Sequence, residues 1–159
     1  MTTTKTAQHE KWVALIDSAS KSAHASVMQM YVEPMVVYSP KVPFFDESPD
    51  LSQPVYHVPD GPCGFAWVNL SAVKGPEGKE ARQFINWLTG RTAPAPGCEP
   101  PTGHGHAYGI HKSYWGGHDL WIREYSQSVQ KKAQHASVLA SILSEHVPGL
   151  RAYSSSRLD

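Results

Sequence analysis

The chain has 159 residues, 40% of them hydrophobic and 18% charged, which suits one domain with its own core and is too short for two. Fourteen Lys and Arg balance fourteen Asp and Glu, so the basic excess that marks most nucleic-acid-binding proteins is missing, and two cysteines are too few for a disulfide scaffold. No run nears the roughly 18 apolar residues of a membrane span, and "MTTTKTAQHEKW" has no apolar segment behind a basic cluster. The expectation is therefore a soluble, cytoplasmic protein without a signal peptide.

Residues 6–23 read as an amphipathic helix, with Trp12, Leu15, Ile16, Ala19 and Ala23 on one face. "SVMQMYVEPMVVY" then changes period, and Pro34 divides it into two short strands or one bent one. Residues 39–54 read as a loop, punctuated by Pro40, Pro43, Pro49 and Pro54 and carrying Asp46, Glu47 and Asp50. "VYHV", the turn "PDGP" and "CGFAWVNL" predict a hairpin whose second strand is buried on both faces. In that strand Cys63, Phe65, Trp67 and Asn69 point one way, and Gly64, Ala66, Val68 and Leu70 the other.

A second helix is predicted over 77–89, with Phe84, Trp87 and Leu88 as its stripe and Gly90 as its stop. The Pro/Gly-rich stretch 92–107 reads as a loop without regular structure. Gly116-Gly117 lies between two β-rich runs and predicts a two-residue hairpin turn. A third helix follows over 126–146, capped by Ser126 or Ser128, with Val129, Ala133, Ala136, Ala140 and Leu143 inward and Lys131 and Lys132 outward. "LRAYSSS" closes the chain as a strand. This order predicts one α+β domain: a mostly antiparallel sheet of about five to seven strands with two or three helices packed on it.

Three groups of residues invite chemistry. Cys63 is a nucleophile if a histidine lies beside it, and His57 on the preceding strand is the nearest in sequence; a buried Cys63 acting as a small hydrophobe is the plainer reading. Cys98, His104 and His106 are zinc-ligand types, with His111, His118 or Cys63 as a fourth, but C-x5-H-x-H is not a familiar zinc spacing. Finally, a two-residue turn at Gly116-Gly117 pairs Tyr114 with Asp119 and Lys112 with Trp121. It thereby collects Lys112, Tyr114, Asp119, Trp121 and Arg123 on one face, an aromatic and charged surface of the kind enriched at binding hot spots. Arg157 and Asp159 either frame a ligand or form a terminal ion pair. Phosphate-binding glycine loops, a nucleophile elbow and H-E-x-x-H are all missing, and no carboxylates stand out as an acid/base pair.

"GPCGFAWVN", "FINWL", "SYWGGHDLWI", "YSQS" and the terminal "AYSSSRLD" resemble a group of small uncharacterised phage and prophage proteins. The resemblance spans roughly residues 54–159, apart from the Pro/Gly-rich loop, which looks like an insertion. It implies a phage or mobile-element origin, with the host cytoplasm or the virion as the place of action, and implies nothing about mechanism. Together with the aromatic face, it leads to the expectation of a non-catalytic accessory protein without a cofactor. Its partner would be a protein, a second copy of itself or a small, anionic, nucleotide-like ligand; an enzyme with a Cys/His site and a virion structural component are the alternatives.

Overall fold

The computed structural model describes residues 2–159. Helix α1 spans Thr2–Gln29, six residues beyond the expected end, because Val27 extends the buried stripe of Trp12, Ile16, Ala19 and Ala23 by one more turn and no proline intervenes before Pro34. A 3-10 turn, Pro76–Gly78, leads into α2, Lys79–Leu88, which buries Ala81, Phe84, Ile85, Trp87 and Leu88. Helix α3 spans Val129–His146 and is capped by Ser128, whose side chain accepts the backbone N–H of Lys131. Lys132 does not point outward as expected. It is buried, and its ammonium donates to the Gly64 carbonyl at 3.2 Å.

Among the described residues there are eight strands: β1 (Met35–Val37), β2 (Pro40–Val42), β3 (Asp46–Pro49), β4 (Tyr56–Val58), β5 (Gly64–Ala72), β6 (Tyr108–Lys112), β7 (His118–Ile122) and β8 (Leu150–Leu158). Four form the main sheet in the order β6-β7-β5-β8, and every pairing is antiparallel. The architecture is α+β as expected, but the main sheet has four strands, and the other four make two small ladders, β1 with β4 and β2 with β3. No helix is long and apolar enough to cross a membrane among the described residues.

The strict alternation in β5 divides the sheet into two unlike faces. Ala66, Val68 and Leu70 point into the core with Leu120, Ile122, Tyr108 and Leu150, against Trp12, Ile16, Phe84, Trp87, Leu139 and Leu143 from the three helices. Phe65 and Trp67 point to the opposite face and are only half-buried, so β5 is not enclosed on both sides. The expected hairpin of residues 55–70 does not form. β4 pairs with β1, and β5 pairs with β7 and β8, because a nine-residue strand with three inward apolar side chains buries more surface at the sheet centre than a three-residue partner offers.

Residues 31–60 leave this body as an arm. β1 and β4 pair over Met35–Val58, Val36–His57 and Val37–Tyr56, and β2–β3 continues beyond them to a turn at residues 43–45. The stretch 39–54 is thus a short ladder, not a bare loop. The arm is fixed at its root, where Gln130 accepts the Glu33 N–H and Lys131 pairs with Asp60 at 2.5 Å.

Candidate functional site: the open face of the sheet

The three helices pack on the core side, and among the described residues no helix lies across the other face of the main sheet. Its residues fall into rows fixed by the ladder register. Trp67 stands opposite Trp121, and the rings stack at 4.8 Å between centroids with 23° between planes. Phe65 meets Trp121 edge-on at 5.8 Å, with Arg157 directly across from it and the Arg157 guanidinium 5.4 Å above its ring. The Lys132 ammonium lies 5.6 Å from the same ring. In the next row Asn69 lies between Asp119 and Tyr153, and its amide donates to Asp119 at 2.8 Å and to the Gly116 carbonyl at 3.1 Å. Arg123 follows β7 and lies across Gly109, where any Cβ would meet its guanidinium; it donates to the Gly103 carbonyl.

The expected face is therefore partly assembled. Asp119, Trp121 and Arg123 share it, but Lys112 and Tyr114 do not. β6 and β7 pair Lys112 with His118, His111 with Asp119 and Ile110 with Leu120, which makes the connection a five-residue loop, Ser113–Gly117. The physical reason is the core: this register places Ile110 and Tyr108 beside Leu120 and Ile122, whereas a two-residue turn would put Ile110 on the bare face. Lys112 consequently sits at the strand end on the helix side, and Tyr114 projects from the loop.

At the Gly116-Gly117 end the open face deepens into a recess of about 670 Å³. Asn69, Ser71, Lys74, Trp115, Arg151 and Tyr153 line it. Trp115 and Tyr153 are both exposed there, and Lys74 and Arg151 supply two cations against one carboxylate, Glu77. Sequence reasoning missed this group because Lys74, Trp115 and Arg151 come from three distant segments that only the sheet brings together.

The remaining candidates are dispersed. Cys63 is exposed, not buried, and forms a single bridge with Ser128 at the start of α3. His57 faces Val36 within the arm, so the two do not form a hairpin pair. Cys98 is buried; its carbonyl accepts the Trp87 indole N–H at 2.9 Å, and burial raises its thiol pKa. His104 and His106 are exposed in the loop beyond, and the described residues contain no group of three or more His, Cys, Asp or Glu placed to hold a metal. Arg157 lies over Phe65, and the Asp159 N–H donates to the Cys63 carbonyl.

A second polar group was wholly unexpected. Ser20 Oγ bonds to Tyr108 Oη at 2.6 Å, Tyr108 Oη to His135 Nε2 at 2.8 Å, His135 Nδ1 to Tyr125 Oη at 2.8 Å, and Tyr125 Oη to His24 Nδ1 at 3.1 Å. Burial holds the His135 pKa down at about 4 and pushes both tyrosines up to about 12, so at neutral pH all three are uncharged. Tyr125 and Ser126 adopt φ of 68° and 50°, rare for side chains of their kind, beside an open recess of about 570 Å³ that this chain lines. No spacing rule links Ser20, Tyr108, Tyr125 and His135, and His135 falls on a helical stripe where a core residue is the default.

Compared with known protein families, curated proteins and solved structures, the chain matches none.

Proposed function

We propose that this is a non-catalytic binding protein, an accessory factor of phage origin, whose open sheet face takes a small, flat, anionic ligand of nucleotide type. One observation carries the reading: the 670 Å³ recess combines two exposed aromatic rings, Trp115 and Tyr153, with two cations, Lys74 and Arg151, above the polar floor of Asn69 and Ser71. Its volume falls in the range of about 300–1,000 Å³ typical of small-molecule sites. An aromatic ring stacks on a base, and a guanidinium forks onto a phosphate. Titration of tryptophan fluorescence with a panel of mononucleotides tests it. Quenching by at least one nucleotide, lost in both Trp115→Ala and Arg151→Glu, is the expected result; a flat response to the whole panel rejects it.

A small histidine-based enzyme is the second reading. The neutral His135, held between two tyrosine hydroxyls beside an open recess, favours it. Turnover of a fluorogenic ester or phosphodiester panel that disappears in a folded His135→Gln variant is its signature.

A further inference from the structure

The arm of residues 31–60 presents to water what a folded chain usually hides. Phe44 and Phe45 at its tip are 97% and 90% exposed, and Val36, Val37, Tyr38, Val42, Leu51 and Tyr56 are exposed along it. Single exposed apolar residues are ordinary; a contiguous projecting set marks an interaction surface. Phe44 is held at φ 66°, a conformation costly for a bulky residue, so the tip is shaped as well as bare.

The charge of the arm identifies what it meets. It carries Glu33, Asp46, Glu47, Asp50 and Asp60 against a single Lys41, in a chain whose formal net charge is zero. The rest of the molecule is therefore cationic to the same extent. Asp60 is engaged at the root by Lys131, which leaves Asp46, Glu47 and Asp50 at the distal end beside the phenylalanines. Asp46 accepts from the N–H and hydroxyl of Ser48, and Asp50 from those of Ser52, so both carboxylates are fixed in orientation and their pKa values are lowered.

The Phe65, Trp67 and Trp121 end of the open face is the counterpart: half-buried aromatic rings with Arg123 and Arg157 at its margin. Among the described residues β1 pairs only with β4 and β2 only with β3, so within one copy the arm adds no strand to the main sheet.

We propose that the acidic, phenylalanine-tipped arm of one copy docks on the Phe65–Trp67–Trp121 end of the open face of a second copy. This contact lies at the opposite end of the face from the 670 Å³ recess and does not depend on the nucleotide reading. Since arm and face are different surfaces, the contact is heterologous and joins copies head to tail unless two arms exchange reciprocally.

Sedimentation velocity of the full chain across the micromolar range tests it. The wild type is expected to form a dimer or larger species as concentration rises. Phe44→Ser with Phe45→Ser, which alters only side chains already in water, is expected to remain monomeric with an unchanged circular dichroism spectrum. Arg157→Glu alone and Asp46→Lys with Glu47→Lys alone are each expected to lose association, and a mixture of these two proteins to regain it, as the reversed arm meets the reversed face. A wild type that stays monomeric throughout overturns the proposal, including the case in which the arm docks only on some other protein. So does association that survives the tip substitutions, or a mixture that fails to associate while its parent wild type does.

Discussion

Trp67 and Trp121 face each other across neighbouring strands and stack at 4.8 Å on the side of the sheet that no helix covers. Both indoles are half-buried, unlike Trp12 and Trp87, which are enclosed between the helices and the sheet. The two pairs report on different things: the first on the surface, the second on the core.

Trp121→Ala is therefore expected to lose about 1–2 kcal/mol, from the stacking term and part of its area. Trp87→Ala is expected to lose about 3–5 kcal/mol, as a cavity opens under α2 and the Cys98 carbonyl loses its donor. Urea melts of the two variants side by side measure the difference. Equal losses would mean that the Trp121 face is enclosed in solution.

Stability should fall on acidification between about pH 6.5 and pH 4. In that window unfolded His135 takes up a proton that the folded imidazole refuses, so the unfolded state binds more protons and gains. A tenfold change in proton affinity is worth ~1.4 kcal/mol, which puts the loss from this residue on the order of 3 kcal/mol. Burial lowers the pKa of His9 and His118 too, and both add in the same direction. Melts at stepped pH check this: His135→Gln should start less stable at pH 7 and show a shallower acid limb than the wild type.

The five-residue loop makes its two glycines unequal. Gly116 has φ 99° with open space around it, while a Cβ on Gly117, φ 73°, would press into the Leu70 carbonyl. Gly116→Ala should cost about 1 kcal/mol, the ordinary penalty for a left-handed alanine. Gly117→Ala should cost clearly more, because a backbone atom of the central strand has to move. Thermal melts that rank the two in the opposite order would argue for the two-residue turn.

Thiol chemistry should also separate the two cysteines. Cys63 is exposed and Cys98 buried, so a disulfide reagent is expected to modify one thiol per native chain and two in denaturant. Replacing Cys63 by Ser removes the fast thiol and leaves stability nearly unchanged. Protection of both thiols in the native protein would place Cys63 inside an interface.

Much of the frame was readable from the chain because its signals are local. The alternation of Ala66, Val68 and Leu70 against Phe65, Trp67 and Asn69, the stripe of Trp12, Ile16 and Ala19, and the Ser128 cap each declare themselves within a few residues. What failed was pairing. Gly116-Gly117 has the composition of a two-residue turn, yet the core decides the register through Tyr108 and Ile110, and a shift of three places sent Lys112 to the other side. "VVY" and "FF" look like core to any hydropathy reading, because partnered and unpartnered apolar residues are the same in sequence. Of the aromatic face, Asp119, Trp121 and Arg123 followed from strand period alone; Phe65, Arg151 and Arg157 needed the β5–β8 pairing, which joins Phe65 to Arg157 and Ser71 to Arg151 from distant parts of the chain.

The bonded chain around His135 leaves α1 at Ser20 and returns to it at His24, one helical turn later, after passing through a strand, a second helix and a turn. A neutral imidazole has one N–H and one lone pair, so the bonds on its two sides must point the same way round. The chain of bonds therefore has just two complete settings of opposite direction, related by exchanging donor and acceptor at every link. In one setting the His135 Nε2–H donates to Tyr108, whose hydroxyl then points to Ser20; in the other the His135 Nδ1–H donates to Tyr125, whose hydroxyl then points to His24. The fold thus leaves one binary choice open, held in the shared direction of four hydrogen bonds.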